Sequence, residues 1–545
     1  MTEKKEGSLL VGSEVSVGIF EAINRGMSRR DAMRLLGGAG LMASGVGSLL
    51  GASSSVFADD STTAATPRRG GKIRVAGTST STADTLDPAR GAFSTDYVRH
   101  YMFYNGLTTF DEKLVPQMGL ALSFETNDAL VWNIKLRKDV TFHDGKPFTS
   151  ADVVYSLMRH KDPLTGSKAK PLADQFTEVK ALAPDEVQIT LVAANAELPA
   201  VMAVSHFLII ADGTATFTMA NGTGPFKCKS FKPGVSTIAI RNENYWKPGK
   251  PYLDEIELIG IVDEPSRVNA LLAGDVHMIS SVDPRSTKRI DSSQTAWVQA
   301  TSAGTYTNLI MRVNQAPFSN PDVVEAIKLL FDRENILKSV FLGYGVIGND
   351  QPIMPGTPYY FEGLPQRPYD PEKAKFLLKK AGLSGISLPI VTSATADGAN
   401  EMSVVMQQSA KLAGLNLKVN RVSADGYWDT HWMKDPMGFG SVNARPTANI
   451  LLSQFFKSDA AWNESGWKNA QFDQLLVVSR GERDESRRKQ MYADMQTLIN
   501  QHSGVAVPMF VSTIDGVAKK LKGYHAIPVG GFMGYMFAEH VWLDA

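Results

Sequence analysis

The chain has 545 residues, 43% of them apolar and 21% charged, with 56 basic side chains set against 56 acidic ones. That length supports two or three lobes around a large buried core, and the even charge leaves no footprint for nucleic acid and no acidic tail. The single cysteine, Cys228, excludes an internal disulfide and a cysteine-rich zinc site, and reads as a small half-buried residue in a strand.

The first segment reads as an address. Ser28-Arg29-Arg30 precedes an uncharged run from Gly37 to Ala58 that is rich in Gly, Ala and Ser, too weakly apolar for a stable spanning helix. It ends in Val56-Phe57-Ala58, a small-x-small cleavage pattern, followed by Asp59-Asp60. A charged front, a soft apolar middle and a small-residue end describe an export signal over 1–58. The arginine pair resembles a twin-arginine signal, although Ala32 stands where a large apolar residue is usual. General secretion or an uncleaved anchor is the alternative. No cysteine stands at the cleavage site to carry a lipid, so the product is expected free in the periplasm. Residues 59–71 are polar and carry Pro and Gly, which reads as a flexible leader.

From Lys72 onward strand-like and helix-like segments alternate. Strands are expected at 72–77, 131–137, 186–192, 236–242, 255–261 and 415–421. In 131–137, Trp132, Ile134 and Leu136 share one face and Asn133, Lys135 and Arg137 the other, the period of a half-buried strand. Helices are marked by their caps. Asn320-Pro321 precedes a helix expected to run to Phe341 before Gly343, and Asp370-Pro371 precedes one ending before Gly382. Residues 401–421 read as helix, Gly414, strand. Together these predict an α/β chain of more than one lobe.

No H-E-x-x-H, G-x-S-x-G, P-loop or helix-opening G-x-G-x-x-G motif is present, and the nine histidines are scattered. Neither an enzyme, a metal nor a cofactor is needed to explain the sequence. Asp263-Glu264 before Pro265 reads as a helix start, and His143-Asp144-Gly145 as a turn. Aromatic residues cluster late, at Tyr427, Trp428, Trp432, Trp462 and Trp467. Most such residues fill cores. Tyr427-Trp428 follows the loop Ala424-Asp425-Gly426 after a strand, where α/β sheets place ligands.

Five stretches in order carry a resemblance: Thr85-Leu86-Asp87-Pro88-Ala89, then 132–157 with its His-Asp-Gly turn, 221–246 with Gly-Thr-Gly-Pro and Asn-x-x-Tyr-Trp, 314–336, and 369–382. Over roughly residues 70–515 the chain resembles the family 5 solute-binding proteins of ABC importers, the dipeptide- and oligopeptide-binding type. The resemblance implies a two-lobed periplasmic-binding-protein fold (type II, with an extra subdomain) and a ligand cleft between the lobes. The implied boundaries are 72–304 for lobe I with the extra subdomain at 98–220, 305–506 for lobe II, and a return to lobe I over 507–545. The crossings fall near Thr305 and Val507. The implied role is capture of a peptide or other small carboxylate-bearing solute for an inner-membrane permease, by a monomer. An exported hydrolase on a similar scaffold, or a sensor or chaperone borrowing the fold, is the alternative.

Peptide-binding members carry an Asp-Pro-rich loop whose carboxylate meets the peptide ammonium. Here Arg445-Pro446 stands in that place, within 438–447. An arginine offers a planar fork to a carboxylate and repels an ammonium. If it faces solvent, or pairs with Asp435 or Asp459, it says nothing of the ligand. Asn443 is expected beside it. Tyr306 and Asn308, in the segment entering lobe II, and Ser79 and Ser81, after the first strand, complete the expected ligand contacts with Tyr427 and Trp428.

Overall fold

The protein is described from a computed structural model covering residues 66–544. The export signal expected over 1–58, its cleavage near Ala58 and the leader residues 59–65 lie outside the described residues. Gly70 and Gly71, at the end of the stretch read as flexible, are tied down. Gly70 N donates to Tyr252 O and Gly71 N to Asp254 Oδ2, because the first strand begins one residue later.

Two long strands, Ala296–Met311 and Val505–Ala518, organise the molecule. They pair antiparallel from Ala296↔Ala518 to Ser302↔Ser512, slip in register, and resume at Tyr306↔Phe510. Gly304, at φ 79°, occupies the slip, a left-handed conformation that a side chain resists. On one side of the slip Val505–Ala518 pairs with Met278–Ile279, which leads through Lys72–Gly77, Glu255–Gly260 and Ser236–Arg241 to Phe226–Lys232. On the other, Ala296–Met311 pairs with Met437–Val442 from Tyr306↔Val442 to Met311↔Met437, and Ser387–Thr392 and Asn416–Arg421 extend that half. One continuous sheet thus serves two lobes; Thr305 lies in the slip, and Val507 lies on Val505–Ala518 beyond Phe510, on the side of Met437–Val442.

Each half has its own core. Ile73, Val75, Ile256 and Leu258 bury one face of the first half, and Ile390, Leu417, Phe439 and Met402 lie in the second. Within 98–220 a four-stranded antiparallel sheet is formed by Ala121–Glu125, Val131–Leu136, Glu186–Leu191 and Phe176–Ala183. There Trp132, Ile134 and Leu136 pack on Val187 and Ile189, as their alternation requires.

The caps act as expected. Asp370 accepts from Lys373 N, and Asp263 accepts from Ser266 N. Gly382, Gly414 and Gly145 all adopt positive φ. The helix expected to continue to Phe341 is two helices, Pro321–Leu329 and Arg333–Ser339. Asp332 is the reason: its side chain caps Asn335 N and restarts the chain. His143 is structural, with Nε2 against Gly224 O at 3.1 Å, and burial lowers its pKa to about 4.

Candidate functional site

The strand slip opens onto a cavity of about 1180 Å³. One lobe supplies Tyr97, His206, Asp283, Arg285 and Tyr535, the other Phe341, Asp397, Glu401, Asn443 and Arg445, and Ala303, Thr305 and Ser512 lie at the slip between them. This is the geometry of a solute cleft: two walls from separate cores, joined by two strands whose pairing is irregular between Ser302 and Tyr306 and again between Thr307 and Leu309.

Arg445 lies on the loop between Met437–Val442 and the helix Ala448–Phe455, which Thr447 caps through Ile450 N. Its guanidinium is half-buried. Nε donates to Gln454 Oε1 at 2.6 Å and Nη1 to Asn443 O at 2.7 Å, with the Phe455 and Trp462 rings 5.1 and 5.9 Å away. Burial lowers its pKa, and only the Tyr306 hydroxyl opposes that. Neither carboxylate that could have silenced it does so: Asp435 pairs with His431 and Asp459 with Lys457. Arg445 therefore reaches the cleft held by neutral acceptors. Asn443 stands exposed in the same wall.

Asp397 carries the opposite charge. It follows the strand Ser387–Thr392, in the loop before the helix Ala399–Leu412, and Thr307 Oγ1 holds its carbonyl at 2.8 Å. Asp397 is exposed in the cavity wall and forms no ion pair among the described residues, and partial burial of its carboxyl raises its pKa. Across the cleft Arg285 is already paired with Asp283 at 2.7 Å.

Other expected contacts sit elsewhere. Tyr427 is buried, its hydroxyl donating to Phe439 O at 2.6 Å, so it fastens the loop to the sheet. Trp428 is partly exposed against Trp432 and does not line the cavity. Tyr306 and Asn308 are wholly buried, Tyr306 against Phe510 and Asn308 against Glu464. Side chains alternate along a strand, so Thr305 faces the cleft while Tyr306 enters the core. Ser79 bonds Thr95 Oγ1 at 2.7 Å and Ser81 accepts from Ala83 N, both away from the cavity lining. Asp397 and Glu401 were missed, although Asp397 sits in a post-strand loop of the same kind that pointed to Tyr427-Trp428. Among the described residues no three His, Cys, Asp or Glu side chains gather as a metal site.

Comparison with known proteins agrees with this architecture. Residues 115–463 match the family described as bacterial extracellular solute-binding proteins, family 5. The glutathione-binding protein GsiB of Escherichia coli K12 is 25% identical over 467 residues, covering 82% of this chain and 91% of that one. HbpA2 of Haemophilus parasuis superposes with a TM-score of 0.79 at 20% identity, over 87% of this chain and 100% of the other. Helicobacter pylori DppA, in complex with the peptide STSA, gives 0.70 at 23% identity, over 88% and 99%. At these identities the two solved structures speak for the fold alone. Together with the five ordered motifs and the two-walled cleft, the match over most of the sequence places this chain in family 5 of the bacterial extracellular solute-binding proteins.

Proposed function

We propose that this chain captures a peptide or other small carboxylate-bearing solute outside the cytoplasm and delivers it to an ABC permease in the inner membrane. The observation that carries this reading is the pair Arg445 and Asp397, opposite charges lining one cavity with no ion-pair partner among the described residues. A zwitterion such as a short peptide neutralises both, with its carboxylate at Arg445 and its ammonium at Asp397. The relative named for glutathione and the neighbour solved with a peptide lend chemical support. Asn443 adds a neutral contact.

Lobe I over 72–304, lobe II over 305–506 and the return over 507–545 are the proposed bodies, with 98–220 as the extra subdomain. Ligand touching both walls favours the closed arrangement, and the permease reads that arrangement. The solute leaves unaltered, so no catalytic residue is assigned. The proposed route is twin-arginine export, cleavage near Ala58 and release into the periplasm as a monomer. Native mass spectrometry of protein recovered from its export compartment tests this reading. A co-purified acid or peptide is expected. A bound solute lacking any carboxylate, or one that the protein converts, overturns it.

A further inference from the structure

Behind Arg445 lies a second, smaller chamber of about 220 Å³. It shares Leu114, Ala303, Ala444, Arg445 and Pro446 with the main cleft, so the two spaces meet at that loop. Its walls are largely apolar, with Pro199, Ala200, Ile353, Met354 and Leu451 among them. Two guanidinium groups line it, Arg445 and Arg488.

Both are held by neutral groups. Arg488 Nε donates to Tyr359 Oη at 2.8 Å and Nη1 to Glu482 O at 2.7 Å, with the Tyr359 ring 5.5 Å from its guanidinium carbon. Neither arginine forms an ion pair with a carboxylate among the described residues. One carboxylate, Glu197, lies in the chamber wall, and its Oε2 is buried without a hydrogen-bond partner. Burial raises the Glu197 pKa. Thr447, the Asn449 amide, Tyr492 and the Arg488 charge lie close enough to oppose the rise without reversing it. Glu197 is the one carboxylate among the lining residues, set against two guanidinium groups; Glu485, outside the lining, is held below its usual range by Lys489 and by the Arg488 charge. Two guanidinium groups in a largely apolar wall offer charge-assisted donors to an anion.

We propose that this chamber is the anion subsite of the cleft, in which a carboxylate of the bound solute sits between the guanidinium groups of Arg445 and Arg488. The proposal rests on the reading of the cleft given above and sharpens it. The anion enters on a short apolar stem, as the lining dictates. The chamber is built from two parts of the chain: 114–116 and 196–200 on one side, 352–359, 444–451 and Arg488 on the other. Ala196 N donates to Arg480 O at 2.8 Å where these parts meet. An anion lodged there bridges them, so recognising the carboxylate and holding the parts together are one event.

The test is calorimetry on the exported chain with glutathione, tri-alanine and tri-alanine amide. At least one acid is expected to bind, and the amide at least 30-fold more weakly than tri-alanine. Arg488→Gln is expected to weaken acid binding about 10-fold while leaving the amide unchanged, and Arg488→Lys to recover part of the loss. Equal binding of acid and amide to the unmodified protein overturns the subsite, whatever happens to the variants. An equal loss for acid and amide in Arg488→Gln does the same, because it marks a structural role. Failure of both acids to bind overturns the carboxylate reading of the whole cleft, and the subsite with it.

Discussion

Asn308 Nδ2 donates to Glu464 Oε2 at 2.7 Å, tying the longest strand to a carboxyl group that is 1% exposed. Trp432 Nε1 donates to the other oxygen at 2.8 Å. Burial pushes the Glu464 pKa from 4.5 up to about 7, and these two donors restrain it only in part. The folded form therefore keeps its proton at a pH where the unfolded chain has lost it. Stability from this group is full below about pH 4.5 and declines as pH rises to about 7. Glu464→Gln is expected to flatten that decline and to stabilise the protein at pH 8 by on the order of 2 kcal/mol. Asn308 Oδ1, which lacks a partner, can accept from the new amide once Asn308 turns over. Urea unfolding from pH 4.5 to 8 checks this, and an unchanged slope contradicts it.

Glu539 works in the opposite sense. Burial alone would raise its pKa, but Lys247 at 2.7 Å and Lys250 at 3.1 Å overcome that and bring it down to about 2. Its stabilisation is present above the unfolded value of 4.5 and is lost as pH falls toward 2. Glu539→Gln strands two part-buried ammonium groups and is expected to cost about 2 kcal/mol at pH 7. Adding Lys247→Met should recover part of the loss. Denaturant midpoints of the single and double variants measure both effects.

Arg445→Ala is expected to weaken binding of the retained acid by at least about 1.5 kcal/mol, the worth of a desolvated charge-assisted contact. Arg445→Lys should restore only a fraction, because an ammonium lacks the planar fork. Calorimetry reads both variants, and unchanged affinity in the alanine variant removes Arg445 from the site.

Asp397→Asn separates the two ends of the solute. A peptide with a free α-ammonium should lose about 1–2 kcal/mol of binding, while its N-acetylated form should be indifferent to the change. Equal effects on both peptides would place the ammonium elsewhere.

Closure can be seen directly. Small-angle scattering should report a smaller radius of gyration when the cleft is filled, since a solute touching both walls favours the closed arrangement. Identical radii with and without a tightly held acid would contradict the clamp.

Local rules in the sequence determined much of this protein. Alternation placed Trp132, Ile134 and Leu136 on one face, and short polar caps before proline set the starts at Pro321 and Pro371. These signals depend on neighbours within one turn or one pleat, so they are legible without a fold. The departure from Asp-Pro at Arg445-Pro446 is visible only through the family resemblance, and Arg445 lies in the cavity wall.

What the sequence could not show was decided by contacts far apart in the chain. Of the strand Ala296–Met311 the sequence offers only Thr305–Asn308, as a strand entering the lobe or a ligand-contacting segment alike, because the pattern mixes small, polar and buried positions and the partners lie more than a hundred residues away. Tyr306, Asn308 and Tyr427 carry the chemistry of a ligand site, yet all three side chains are buried: the Tyr306 ring packs on Phe510, Asn308 Nδ2 donates to Glu464, and the Tyr427 hydroxyl donates to Phe439 O. Only packing determines whether a polar side chain finds its partner within the fold or keeps it for a solute. Arg445 and Asp397 come from separate loops far apart in the chain, and only the fold brings them to the lining of one cavity.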